Sequence, residues 1–274
     1  MRAARMWTPS PPRSTRTQRQ PSDFLERASE EGAGSALSRR RQHPRRHRAL
    51  RGARGGRCRA RDRARSRRPA QVYAVEVDAS LGPQLTERLA GRPNVELRFG
   101  DALQLDLVES APGATKLVAN LPYNIATPLI AESLDGLPGI ELWTVMVQRE
   151  VADRLFAEPS TKAYGAVSVL VQLVAHRTGF HPVSRTVFRP RPNVDSALVA
   201  FRRTGLPPDF RRVKGVVEAA FSHRRKLLAN SLELAGLTDR AHAEAAIAEL
   251  GKHSNVRAEE LAPLEFLELA KALG

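Results

Sequence analysis

From Gln71 to the C-terminus the apolar positions follow two alternating periods. The runs "VYAVEV", "NVELRFGD", "TKLVANLPY", "IELWTVMVQ" and "VDSALVAFRR" are short and apolar, as strands are. Between them, "LGPQLTERLAG", "IATPLIAESLDGL" and "REVADRLFAE" carry helical spacing, the first closing at Gly91. "YGAVSVLVQLVAHRTGF" predicts a helix that runs into a strand. Strands alternating with helices of this length predict an α/β fold, a mainly parallel sheet covered on both faces. After "TGLPPD" the strand signals stop, and residues from about 208 read as four short amphipathic helices. The expected organisation is therefore a segment 1–70, an α/β domain 71–205 and a small helical domain 206–274, with no internal repeat.

The periodicity fails before residue 71. Residues 1–70 contain no Val, Ile or Tyr, and only three Leu, one Phe and one Trp. Such a segment cannot bury enough apolar surface to offset the entropy of ordering, so the composition predicts disorder. Charge tells the same story. The chain's formal net charge of +15 is that of a nucleic-acid binder, but residues 1–70 hold 21 Arg, no Lys and five acids. The remainder sets 23 bases against 24 acids. All the excess positive charge lies in the first quarter, which reads either as a basic RNA-binding tail or as text that was never selected as protein.

The single cysteine, Cys58, excludes an internal disulfide framework and any cysteine-based metal site. No apolar run approaches the roughly 20 residues that span a bilayer, and the N-terminus has no apolar signal region. The expectation is a soluble, cytoplasmic, monomeric protein without a metal.

Three residues close three successive strands: Glu76 after "VYAV", Asp101 after "VELRFG" and Asn120 after "KLVA". In open parallel sheets that edge is where ligands bind, and an acidic residue ending a strand grips a ribose. Each alone also reads as a turn or capping residue; three in order point to a site. "NLPY", Asn120 to Tyr123, is the sharpest motif. An exocyclic base amine is a poor nucleophile because its lone pair is delocalised into the ring. Accepting its N–H bonds, through the Asn120 side-chain oxygen and a backbone carbonyl beside Pro122, draws the nitrogen toward tetrahedral geometry. Pro122 stiffens the turn, and Tyr123 offers a face on which an extruded base stacks. No charged general base is needed if the methyl donor is an activated sulfonium.

"VANLPYNIATPLI" resembles the corresponding segment of the small-subunit ribosomal RNA adenine N6,N6-dimethyltransferases, the kasugamycin-resistance type. The resemblance continues through "VQREVADRLFAEPSTKAYGAVSVLVQ", "VFRPRPNVDSALVAF" and "AFSHRRKLLANSL", and spans about 71–274. It implies a Rossmann-like S-adenosylmethionine-dependent methyltransferase sheet with a small C-terminal helical domain. It places the cofactor ribose on Glu76, the cofactor adenine near Asp101, and the target adenine among Asn120, Leu121, Pro122, Tyr123 and Phe188. Arg224, Arg225 and Lys226, read as the start of a helix, become phosphate contacts to small-subunit rRNA in an immature small ribosomal subunit. "NLPYNIATPL" favours the small-subunit enzymes over their large-subunit relatives.

The resemblance also implies two N-terminal motifs that residues 1–70 lack: one like Leu-Gly-Gln-x-Phe-Leu, and a first strand with the glycine turn Glu-Ile-Gly-Pro-Gly-x-Gly. Codon degeneracy permits both, one base forward. Gly34–His43 can then read Gly-Gln-Arg-Phe-Leu-Val-Asp-Ala-Asn-Thr, and Arg59–Pro69 can read Val-Leu-Glu-Ile-Gly-Pro-Gly-Leu-Gly-Gly-Leu. The expectation is a frameshifted segment rejoining the frame near Ala70–Gln71. A sheet without that first strand loses the neighbour between "VYAVEV" and "KLVANL". Two rival functions stand beside the methyltransferase: a non-catalytic basic RNA-binding or ribosome-assembly protein, and a methyltransferase of small-molecule amines, which the "FSHRRKLL" helical region disfavours.

Overall fold

The computed structural model describes residues 70–274. The expectations for residues 1–69 (disorder, the basic tail, the shifted frame) lie outside the described residues. Strand β1 is Val72–Glu76. A 3-10 turn at Ala79–Leu81 leads into helix α1, Gly82–Leu89, which starts with a proline in its first turn, where no donor is needed. Strand β2, Val95–Phe99, follows, then the short helix α2, Leu107–Ser110. The carboxylate of Asp106 caps α2 by accepting from the N–H groups of Val108 and Glu109.

Strand β3, Lys116–Asn120, helix α3, Ala126–Gly136, strand β4, Leu142–Gln148, and helix α4, Arg149–Leu155, continue the alternation. Helix α5, Ala166–Val174, runs directly into strand β5, Ala175–Val183, as the sequence predicts. Strand β6 is Ser196–Arg203. Four helices close the described chain, also as predicted: α6 Phe210–Ser222, α7 Leu228–Leu234, α8 Arg240–Glu249 and α9 Pro263–Ala272.

The strands form two sheets. β1 and β2 pair in parallel as a two-stranded sheet, and the other has the order β3-β4-β6-β5. β3 and β4 are parallel, but β6 lies antiparallel to both β4 and β5. The expected mainly parallel sheet is therefore mixed: β5 and β6 follow one another without a crossover helix, and β6 is inserted beside β4. Local periodicity does not encode that choice.

Among the described residues, no strand pairs the second edge of β1 or of β3, which is the neighbour the sequence analysis expects to be lost. Burial divides at the same place. No residue from 70 to 109 is buried. The core starts at Leu121 and runs without interruption through β4, α5 and β6 into the four C-terminal helices. Trp143 stacks on Phe201 with ring centroids 5.1 Å apart, and its indole N–H donates to Ser133 Oγ at 2.9 Å. Tyr164, fully buried, donates its hydroxyl to the Leu261 carbonyl at 2.8 Å and meets Phe221 edge-on, which in turn stacks on Phe266. Aromatic packing of this kind joins the α/β part to the helices through one core.

Candidate active site

The end of β3 is built around one anchored residue. The Leu121 side chain is 5% exposed, and its N–H donates to Met146 of β4 at 3.0 Å. Asn120 before it, and Pro122 and Tyr123 after it, are exposed. The Pro122 carbonyl accepts from the N–H groups of Ile125 and Ala126, at 3.1 and 3.0 Å, and so starts α3. The carbonyl beside Pro122 that remains available is therefore Leu121's. Among the described residues neither it nor the Asn120 side chain has a hydrogen-bond partner. Two acceptors without donors sit next to each other at the C-terminal edge of the sheet.

Tyr123 is 38% exposed, and its hydroxyl lies 3.2 Å from Ser196 Oγ. Ser196 is the first residue of β6, faces Gln148 across the sheet and is buried. The loop arriving at Ser196 carries Phe188, half-buried, directly after a 3-10 turn at Arg185–Val187. That loop is pinned to the sheet. Arg185 donates its N–H to the Asp195 carboxylate at 2.8 Å and its guanidinium to the Asn193 carbonyl at 2.9 Å. The Asp195 carbonyl accepts from Arg149 N–H at 2.9 Å. An open groove of about 370 Å³ runs alongside, lined by Gln148, Arg149, Glu150, Arg185, Val194 and Asp195 among others. Sequence reasoning missed Ser196 and this groove; "NVDS" before a strand carried the only signal.

Glu76 and Asp101 come together at the ends of β1 and β2, where Gly100 donates its N–H to the Glu76 carbonyl at 2.8 Å. One carboxylate oxygen of Glu76 accepts from Asp78 N–H at 2.9 Å, and among the described residues the other has no partner. Asp101 is occupied locally: its carboxylate accepts from Leu103 N–H at 2.9 Å and from the Gln104 amide at 3.3 Å. It makes the turn that the bland sequence reading allowed. Asp78 beside them is held below the ordinary carboxylate range by its hydrogen bonds from the Ser80 hydroxyl and N–H. The pair Glu76–Asp101 and the group Asn120–Tyr123 lie on separate sheets.

Arg224, Arg225 and Lys226 do not start a helix. They occupy the turn between α6 and α7, because Leu227 is the residue before the first helical position of α7. Arg224 is tied inward, donating to the Lys162 carbonyl at 2.6 Å and lying 3.5 Å from Glu259. Arg225 and Lys226 are exposed, and among the described residues their side chains have no partner. Also among the described residues, no helix is long and apolar enough to cross a membrane.

The α/β sheet followed by helices, with Asn-Leu-Pro-Tyr at a strand end, defines a Rossmann-like methyltransferase fold of the kind that modifies nucleic-acid bases. Comparison with known proteins narrows the class. A family model described as ribosomal RNA adenine dimethylase matches residues 64–273, and the chain belongs to that family of S-adenosylmethionine-dependent enzymes. It is 44% identical over 203 residues to the ribosomal RNA small subunit methyltransferase A of Rubrobacter xylanophilus, covering 74% of this chain and 76% of the relative. It is 42% identical over 215 residues to the protein of that name from Lactiplantibacillus plantarum, covering 74% and 73%. Among solved structures it is similar to the 23S rRNA methyltransferase ErmE, with 27% identity and a TM-score of 0.50 over 74% of this chain and 82% of that one. A dimethyladenosine transferase from Plasmodium falciparum, 23% identical with a TM-score of 0.58 over 71% and 78%, shares the fold.

Proposed function

We propose that this chain transfers methyl groups from S-adenosylmethionine to the N6 amines of adenines in small-subunit ribosomal RNA, two to each adenine. The observation that carries the reading is the pair of unsatisfied acceptors at the end of β3. The Asn120 side-chain oxygen and the Leu121 carbonyl accept the two N–H bonds of the amine and localise its lone pair for attack. The carbonyl of Pro122 is spent on α3, so the turn holds the acceptor of Leu121 in a fixed place. Tyr123 and Phe188 stack on the two faces of the extruded base.

The cofactor supplies a methyl group already activated on a sulfonium. The residues present fit one half of it. Glu76 has a carboxylate oxygen for the ribose hydroxyls, and Asp101 lies beside it for the adenine ring. For the methionine end, the described residues contain no glycine turn following a strand next to β1. Arg225 and Lys226 take RNA phosphates, and Arg224 holds their turn in place. In this reading residues 71–205 form the methyltransferase domain, 206–274 the rRNA-facing domain, and a monomer acts on the immature small subunit.

The test is incubation of small subunits lacking dimethylated adenines with the chain at saturating, millimolar labelled cofactor. Label on adenine N6 in small-subunit RNA, lost with Asn120→Ala, is the expected result. Label on another atom, or on large-subunit RNA, overturns the reading.

A further inference from the structure

The groove beside Ser196 is lined by none of the residues that hold the target base. It begins at Gln148, two residues along β4 from Met146, which faces Asn120 across the sheet. Side chains two apart on a strand share a face and stand about 7 Å from one another. Gln148 therefore continues the face that carries Asn120. Opposite Gln148 is Ser196, whose hydroxyl lies 3.2 Å from that of Tyr123. The groove and the Asn120–Tyr123 group adjoin.

The charges on its walls cancel. Arg149 donates its Nε–H to both carboxylate oxygens of Asp153 at 3.0 Å and lies over the Phe180 ring. Glu150 accepts from Arg154 at 2.7 Å. Asp195 accepts from the Arg185 N–H, and the Arg185 guanidinium donates to the Asn193 carbonyl. Two cations and two anions leave no excess positive charge for a phosphate. What remains free is neutral. Among the described residues the carboxamides of Gln148 and Asn193 have no partner, and each sets a donor beside an acceptor. Arg185 fixes Asn193 through its backbone, so the carboxamide stays at the groove. Val194, 43% exposed, adds an aliphatic surface to the same wall.

We infer that this groove is a second base pocket, which takes the nucleobase next to the target adenine and reads its hydrogen-bonding edge with Gln148 and Asn193. A flat, uncharged ligand with donors and acceptors on its rim suits a neutral groove with two free carboxamides and an aliphatic wall. Unpaired RNA bases are recognised on their edges in this way, and carboxamides meet a base edge through two hydrogen bonds. Extruding the adenine unstacks its neighbour, and the groove offsets part of that cost. The inference rests on the reading of Asn120–Tyr123 as the target pocket.

The experiment uses the full 274-residue chain, without cofactor, and a small-subunit RNA fragment that contains the target adenine. 2-Aminopurine is placed at the target or at either neighbour. At the target it is quenched by Tyr123 and Phe188. In the groove, whose lining residues include no aromatic ring, an unstacked probe brightens instead. Brightening at one neighbour is expected, and its loss in the double variant Gln148→Ala/Asn193→Ala, with target quenching retained. Removing that neighbouring base should weaken binding by the unaltered chain by roughly fivefold or more, whereas the double variant should bind the intact and the abasic RNA alike. Probes that stay dark at both neighbours overturn the inference. So does a double variant that weakens binding of the intact and the abasic RNA equally, which assigns the groove to the RNA backbone. A neighbour that brightens while the target probe is not quenched overturns the functional reading alone.

Discussion

The hydroxyl of Tyr123 lies 3.2 Å from Oγ of Ser196, a residue 73 positions further along the chain. Through it, the strand-end motif that holds a base is tied to the start of β6, and so to the loop that carries Phe188. Ser196→Ala removes a buried partner, but Tyr123 is exposed enough to turn its hydroxyl to water. The expected loss of unfolding free energy is about 1 kcal/mol. In RNA carrying 2-aminopurine at the target adenine, Ser196→Ala should weaken quenching by the chain and Tyr123→Ala abolish it. Identical quenching by both variants and the unaltered chain would remove Tyr123 from the pocket.

The absence of any buried residue from 70 to 109 predicts unequal local stability. Amides of β1 and β2 should exchange with solvent at rates close to those of an open chain. Those of β4 and β6, which carry the fully buried Trp143 and Phe201, should be the slowest. Mass spectrometry of peptic fragments reads this directly, and comparable protection of the two regions would contradict the division.

With no glycine turn beside Glu76 among the described residues, the chain is expected to bind S-adenosylmethionine poorly. Isothermal titration should give no micromolar association, and Glu76→Ala should weaken the residual millimolar binding further, since it removes the group for the ribose. A micromolar dissociation constant would overturn this expectation.

Arg225 and Lys226 are exposed and unpartnered among the described residues, whereas Arg224 is held by Lys162 and Glu259. Replacing both Arg225 and Lys226 by Gln should lower the dependence of RNA affinity on log salt by about two charges, with thermal stability unchanged. Arg224→Gln should instead lower thermal stability. An unchanged salt slope in the double variant would place the RNA elsewhere.

Burial, and to a lesser degree the nearby Glu265 carboxylate, push the Tyr164 hydroxyl well above its ordinary value. The folded state therefore keeps a proton that the unfolded chain releases above about pH 10. The stability tied to that proton is fully present below pH 10 and is lost as pH rises further. Tyr164→Phe should flatten this alkaline slope, at a cost of about 1–3 kcal/mol for the unpaired Leu261 carbonyl. Urea titrations between pH 8 and 11 would measure it; an unchanged slope would assign the alkaline loss to other groups.

What could be read before folding was whatever local spacing encodes. The strand ends at Glu76 and Asn120, the helix running into β5 and the four closing helices all follow from period and breakers along the chain. The antiparallel placement of β6 was not legible, because the apolar run "VDSALVAFRR" is compatible with either direction. Nor were the partners of Arg224, which lie 62 residues before it, at Lys162, and further on, at Glu259. Asp101 shows the converse: its side chain satisfies the turn it stands in, so its position at a strand end says less than that of Asn120. Among the described residues the sheet divides between β1–β2 and β3–β4–β6–β5, a division that no local period within 71–205 encodes.

The core that runs from Leu121 into α9 owes nothing to β1 and β2. Proteases should therefore cut the chain first around β1 and β2 and leave the segment from Leu121 onward as the resistant fragment.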